Sequence, residues 1–382
     1  MKKLEKSVPV IRFKGFSEAW EQRKLEDILD VRSGRDYKHL DSGDIPVYGT
    51  GGYMLSVGEA LSYEEDAIGI GRKGTIDKPY ILNAPFWTVD TLFYTVPKRD
   101  SDLNFIHSIF QKINWKSKDE STGVPSLSKT TINAVSVFTP SCSEQKEIGT
   151  FFNKLDDTIA LHQRKLDTLK QMKKGLLQQM FPKSEEDVPK IRFADFDEEW
   201  YQRKLGEEFE KINERNDGSF GKTHWISVAK MYFVEPNKVL SNNIDTRTYV
   251  MRKGDIAFEG HSNTDFKFGR FVANDIGPGI VSELFPVYRH KTNYDNNYWK
   301  NAIQLEHIMA PIYSKSITSS GNSSNKLDSK HFLNQKIYIA DFEEQEKIGS
   351  IFKQLDNTII LYQNKLNKFD ILKKAYLQTM FI

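Results

Sequence analysis

At 382 residues, with 38% hydrophobic and 28% charged side chains, the chain has room for two ordinary globular domains and their connectors. No apolar run approaches the ~20 residues of a bilayer span, and the basic start lacks the apolar stretch of a secretory signal; a reducing cytoplasm is the expected location. One cysteine, Cys142, excludes an internal disulfide and a cysteine-based zinc site, while a net charge of +2 decides nothing about nucleic acid, because phosphate binding depends on where cations cluster.

The chain opens with a segment that it later repeats. Val8 to Leu25 reads VPVIRFKGFSEAWEQRKL, and Val188 to Leu205 reads VPKIRFADFDEEWYQRKL, with 12 of 18 positions identical. Trp20 and Trp200, with Phe13/Phe193 and Phe16/Phe196, recur as a packing cluster. Arg12/Arg192, Arg23/Arg203 and Lys24/Lys204 recur too, so they could hold phosphate or a partner but could not tell two DNA sequences apart.

Between the repeats lie two segments of domain size, about 26 to 143 and 206 to 342. Short runs rich in Val, Ile, Tyr and Phe, bounded by turn formers, read as strands: Ile45 to Tyr48, Ala67 to Ile70, Leu92 to Val96 and Val135 to Phe138, then Ile256 to Phe258, Arg270 to Ala273, Leu284 to Tyr288 and Lys336 to Ile339. The two segments share a faint grammar, since Asp66-AIGIG and Asp255-IAFEG each precede a basic glycine loop, and Leu92-Phe93 and Leu284-Phe285 each begin a later strand.

Glu144 to Phe181 repeats at Glu344 to Phe381 with 19 of 38 positions identical. Ile148, Phe152, Leu155, Ile159, Leu166, Leu169, Leu176 and Met180 recur at alternating spacings of three and four, as do their counterparts. That is an a/d seam, so each segment is one long helix of a two-helix coiled coil, roughly 50 Å long. An antiparallel register sets Leu166 opposite Tyr362, Lys173 on Asp356 and Lys373 on Asp156. A parallel one sets Lys173 beside Lys373.

Fragments that imitate enzyme signatures fail on inspection. Asp77-Lys78-Pro79-Tyr80 lacks the first proline of the amino-methyltransferase motif, and Gly221-Lys222-Thr223 lacks the earlier P-loop glycine because Asn216 stands there. Glu144-Gln145-Lys146 resembles a nuclease Glu-x-Lys, yet its copy reads Glu344-Gln345-Glu346. No catalytic residue, metal site or cofactor site is assigned to this chain. The recognition candidates are the basic loops that differ between halves. In the first half these are Arg32, Arg35, Lys38, Arg72, Lys73, Lys78, Lys118 and Lys129, near the Ser121-Thr122-Gly123 turn. In the second they are Arg215, Lys222, His261, Asn263, Lys267, Arg270, Asn322 and Lys326. Arg and Asn can read guanine and adenine edges, whereas Lys, Ser and Gly serve phosphates.

The duplicated I-R-F-x-x-F-x-x-x-W-x-x-x-K-L segments, the duplicated E-Q-x-x-I-G-x-x-F…L-D…L…Q-x-K-L helices, and loops such as Ile45-Pro46-Val47-Tyr48-Gly49 give the chain a resemblance over nearly its whole length. It resembles the specificity subunit of bacterial type I restriction-modification systems. The resemblance implies a mixed α/β (α+β) fold: two target-recognition domains separated by an antiparallel pair of long coiled-coil helices, with a pseudo-twofold internal repeat. The expected division is 1-143 as the first recognition domain with its repeated segment, 144-181 as the central spacer helix, 182-342 as the second recognition domain and 343-382 as the last helix. It further implies a non-catalytic subunit that binds double-stranded DNA, each domain reading half of an asymmetric bipartite site while the helices set the gap. Two methyltransferase (modification) subunits would dock on the helices, and translocating restriction subunits would join, with no role for a membrane. S-adenosylmethionine would belong to the modification subunits, and ATP and magnesium to the restriction subunits. Two other readings stay open: a specificity subunit of a related methyltransferase-nuclease system, and a coiled-coil adaptor that binds proteins. A free-standing methyltransferase or nuclease is disfavoured by the missing cofactor and metal motifs.

Overall fold

Each copy of the repeated segment ends in a short strand, Glu21–Lys24 or Tyr201–Lys204. That strand pairs antiparallel with the one directly ahead of a long helix, Ser136–Thr139 or Lys336–Ile339. The computed structural model describes residues 8–183, 186–240, 244, 247–320 and 324–382. It divides into two units, Met1–Arg164 with Tyr362–Ile382, and Lys165–Leu361.

Both units contain a four-stranded antiparallel sheet of the same topology. In the first, Leu29–Ser33 lies beside Leu92–Pro97, then Ala67–Gly71, then Tyr80–Leu82. In the second, the order is Phe209–Ile212, Val287–His290, Ile256–Glu259, Arg270–Ala273. The Asp66-AIGIG and Asp255-IAFEG runs thus hold the same place, and their burial on both faces explains why they read as continuous apolar runs rather than as alternation. Leu92-Phe93 does begin a strand, but Leu284-Phe285 does not. Phe285 N–H closes a turn onto the Ser282 carbonyl at 3.0 Å, and the strand starts at Val287 beyond Pro286, which has no N–H to give a ladder. The first unit adds a three-stranded sheet of Gly52–Val57, Ser42–Gly49 and Trp87–Thr88. The second adds two-stranded ribbons, including Thr248–Met251 with Gly279–Ser282 and Ile317–Ser320 with Asn325–Leu327.

The long helices run Cys142–Gln179 and Phe342–Thr379. Within the first unit, Phe151 meets Tyr376 at 5.1 Å between ring centroids, Asp156 pairs with Lys373, and His162 meets Phe369 at 5.1 Å. As one number rises the other falls, so the helices are antiparallel there. Within the second unit, Phe181 meets Phe352 at 6.0 Å and Lys173 pairs with Asp356 at 2.6 Å, the same direction. Both lysine–aspartate pairs of the antiparallel register are present, and all four side chains are largely shielded from solvent, at 17–29% exposure.

Each core combines a sheet, the opening of one long helix and the end of the other. The first gathers Trp20, Phe93, Phe105, Phe110, Ile148 and Phe152 around Met380 and Phe381, and the second gathers Trp200, Phe271, Tyr298, Trp299, Ile348 and Phe352 around Met180 and Phe181. Among the described residues no helix is long and apolar enough to cross a membrane.

Candidate nucleic-acid interface

The frame that presents the loops is fixed by one polar arrangement built twice. Arg12 reaches Glu144 through both Nε and a terminal nitrogen at 2.7 Å, and Arg192 reaches Glu344 in the same way at 2.8 Å. The carboxylates are buried, at 1% and 0% exposure. A planar guanidinium suits this fork, and a carboxylate in that position needs it. These repeated arginines are therefore structural anchors, occupied within the chain. The neighbouring glutamine works beside them. Gln145 donates to the Pro140 carbonyl at 3.0 Å and accepts from Asp102 N–H at 3.1 Å, while Gln345 donates to the Ala340 carbonyl at 3.0 Å and accepts from Asp295 N–H at 3.4 Å. Asp102 and Asp295 in turn cap helices, accepting from Phe105 N–H at 2.9 Å and Tyr298 N–H at 2.7 Å. Gly149 and Gly349 let those caps approach, since a Cβ there would stand 2.3 Å or 1.9 Å from the aspartate oxygen. The E-Q-x-x-I-G repeat is thus a docking device between helix and domain, and the nuclease-like Glu144 has no free carboxylate.

On this frame the variable loops meet one another. In the first unit, Leu127 N–H donates to the Arg72 carbonyl at 2.9 Å and Gly74 N–H to the Pro125 carbonyl at 2.8 Å. The Asp119 carboxylate organises the intervening turn, accepting from Ser126 N–H at 2.9 Å and Ser121 N–H at 3.0 Å. Those donors hold its carboxyl below the usual aspartate range, the Ser126 bond first. The result is an open cleft of about 910 Å³ lined by Arg72, Lys73, Lys129 and the Ser121-Thr122-Gly123 turn. Arg72 points one terminal nitrogen toward the Asp90 carbonyl at 3.4 Å and lies over Phe93. Lys73 and Lys129 are exposed.

Other candidates of this unit lie outside the lining of that cleft. Arg32 is engaged by Glu65 at 2.6 Å and Asp30 at 2.9 Å, which raise its pKa, Glu65 first. Arg35 and Lys38 sit on the exposed loop ahead of Ser42–Gly49, where the Arg35 carbonyl accepts from the Trp87 indole at 3.0 Å. Lys78 is exposed on the 72–79 connection, and Lys118 ends a 3₁₀ turn, Trp115–Lys118.

The second unit repeats the convergence with different residues. His261, Asn263, Lys267 and Arg270 occupy the connection from Glu259 to Arg270, the counterpart of the 72–79 loop. Asn325 N–H donates to the Gly260 carbonyl at 2.9 Å, bringing in the hairpin that carries Lys326. His261 pairs with buried Glu259. The Asn263 side-chain oxygen accepts from Asp265 and Phe266 N–H at 2.9 and 3.0 Å, shaping the loop. Arg270 donates to the Ala229 carbonyl at 2.6 Å and shares a concavity with Lys230 and Lys300, two cations that sequence reasoning missed because neither lies in a loop with other candidates. Arg215 pairs with Glu283 at 2.7 Å and covers Tyr249, and Lys222 opens a 3₁₀ turn, Lys222–His224. Asn322 lies outside the described residues. Among the described residues, no group of three or more His, Cys, Asp or Glu is placed to hold a metal ion.

Paired α/β units thus share a common frame and carry divergent polar loops. Residues 17–171 match the family described as Type I restriction modification DNA specificity domain. The chain is 21% identical over 304 residues to the Type I restriction enzyme MjaVIII specificity subunit of Methanocaldococcus jannaschii, covering 73% of this chain and 69% of that one. Its fold matches a crystal structure of the Type-I restriction-modification system S subunit from M. genitalium, with a TM-score of 0.67 and 14% identity over 98% and 99% of the two chains. The HsdS subunit from Thermoanaerobacter tengcongensis aligns over 95% and 96% of the chains at a TM-score of 0.44 and 14% identity. The chain thus resembles type I restriction-modification specificity subunits, in sequence over residues 17–171 and in fold over nearly its whole length.

Proposed function

We propose that this chain directs a type I complex to an asymmetric, bipartite duplex site, with residues 1–143 and 182–342 as its two recognition domains. The observation that carries the reading is the contrast just described: an identical Arg–Glu and Gln–Asp frame in both units, bearing loops whose cations differ in number and partner. Identical domains would serve an inverted repeat. Different ones serve two different half-sites. Arg72, Lys73 and Lys129 are assigned to the first half-site, and Lys267, Arg270 and Lys326 to the second, with Arg32, Arg35, Lys38, Lys78, Lys118, Arg215, Lys222, His261, Asn263 and Asn322 as further candidates. The long helices set the gap and receive two methyltransferase subunits, restriction subunits join that core, and the assembly works in the cytoplasm. S-adenosylmethionine, ATP and magnesium are bound by those partners.

The test is to co-express the chain with its methyltransferase subunit in a host free of adenine methylation and to map methylated adenines across the genome. One two-part, asymmetric motif that appears only with this chain is the expected result. A palindromic motif would remove the two-half-site assignment, and a soluble complex without methylation would favour the adaptor reading.

A further inference from the structure

Two hairpins place exposed aromatic side chains beside the basic loops. In the first unit, strands Ser42–Gly49 and Gly52–Val57 turn through Thr50 and Gly51, and Tyr53 and Met54 stand 63% and 48% exposed. Gly52 takes φ +106°, a conformation open to glycine, so the strand resumes directly after the turn. The hairpin end is fastened to the loops already described. Tyr80 Oη donates to the Gly49 carbonyl at 2.6 Å, and a Cβ on Gly74 would lie 3.9 Å from Thr50 Oγ1. Gly74 is the residue whose N–H holds Pro125, so hairpin, basic loop and serine turn meet at one place.

Unrelated residues build the same juxtaposition in the second unit. Strands Ile226–Ser227 and Tyr232–Phe233 turn through Met231, whose φ of +47° is uncommon for a side chain of its size. Tyr232 and Phe233 are 48% and 39% exposed. The turn is tied to the basic loop by Arg270, whose guanidinium donates to the Ala229 carbonyl. Gly260, at the other end of that loop, holds Asn325.

Aromatic and thioether groups left in water beside cations match a surface that offers apolar faces flanked by negative charge. Stacked bases between phosphates are such a surface: rings stack on exposed bases, and apolar side chains wedge between base steps or meet the thymine methyl. We propose that Tyr53–Met54 and Tyr232–Phe233 are apolar base contacts, one pair for each half-site. This rests on the DNA-binding reading above and adds to it a sequence-reading element with no charge.

Absence of charge is what makes the element separable by experiment. The complex of this chain with its methyltransferase subunit is titrated, at several salt concentrations, with a duplex carrying the mapped motif and with a random-sequence duplex. Tyr53→Ala/Met54→Ala and Tyr232→Ala/Phe233→Ala should each lose about tenfold in affinity for the motif duplex. They should leave the salt slope and random-duplex binding unchanged, because no counterion-releasing contact is removed. Arg72→Ala, the charged reference, should flatten the slope by about one. In the unaltered complex, motif duplexes with 5-iodouracil placed at successive positions should crosslink to Tyr53 or Tyr232, a readout that does not depend on a variant's folding. Aromatic variants that bind the motif duplex like wild type while Arg72→Ala behaves as stated, or crosslinks confined to other residues, would overturn the hairpin proposal alone. Loss of methyltransferase co-purification with intact DNA affinity would reassign the hairpins to a protein partner. A wild-type complex that binds neither duplex would overturn both readings.

Discussion

In the first unit Arg12 closes on Glu144, Trp20 packs against Phe105 and Phe381, and its indole N–H meets no hydrogen-bond partner among the described residues. In the second, Arg192 closes on Glu344 and Trp200 packs against Phe181 and Tyr298, with its indole donating to the same Glu344 carboxylate at 3.0 Å. The frame is shared but not equally saturated, which teaches that the repeat preserves an ion pair and a ring cluster while the finer bonds are free to drift. The loops have drifted furthest, keeping only the places where backbone meets backbone.

Removing the buried acid is the strongest way to break this comparison. Glu144→Ala should cost about 3 kcal/mol, because it strands a largely buried guanidinium. Glu344→Ala should cost about 1 kcal/mol more, since Trp200 loses its acceptor as well. Urea unfolding, followed by probes specific to each unit, checks both; equal losses would mean that the Trp200 bond adds nothing. Next in size is Gly349→Ala, expected to destabilise the second unit by about 2 kcal/mol through overpacking against the Asp295 cap. Gly149→Ala should do the same in the first, with Phe105 N–H also only 2.7 Å from the new carbon.

Acid should separate the units further. Burial pushes His290 down to about 3, and neither of its ring nitrogens has a partner among the described residues. In the first unit His107, on the helix Leu103–Lys112, is also lowered by burial, but Asp156 partly offsets the shift. A histidine lowered in the folded state favours the unfolded chain once the solution can protonate it. The second unit should therefore hold its stability above pH ~6.5 and lose it progressively as the pH falls toward 3. His290→Phe should flatten that decline; an unchanged pH profile would show that another group governs it. The smallest effect belongs to the seam. Reversing Lys173 to Asp should cost about 1 kcal/mol, and adding Asp356→Lys should restore most of it. If the double reversal restores nothing, the pair is ornamental to the antiparallel register.

Much of this architecture was legible because duplication filters noise. An a/d seam with one lysine and one aspartate per copy gives the helix direction, and the Asp66 and Asp255 runs give equivalent strands. What stayed hidden depended on distance along the chain. Arg12 reads as a surface cation until Glu144 is brought to it, and the Arg72 loop and the Ser121 turn look independent because some fifty residues part them. Leu284-Phe285 is misleading because apolar content does not by itself give pairing, and Pro286 blocks it. Tyr53 and Tyr232 escaped notice because in each hairpin the aromatic position is exposed, a property that composition does not carry.

Ile191 N–H bonds the Gln179 carbonyl a dozen residues behind it, whereas Ile11 N–H makes the same 2.9 Å bond to Thr379, near the far end of the chain. One contact is nearly local, and its twin closes a loop of more than three hundred residues. On the ribosome the order of completion is therefore inverted. The second unit has all its parts once Leu361 has emerged, while the first, although begun earlier, waits with an unfinished core for Leu377, Met380 and Phe381. Limited proteolysis of released chains truncated after Leu372 should find residues 165–361 protected and the amino-terminal portion cleaved.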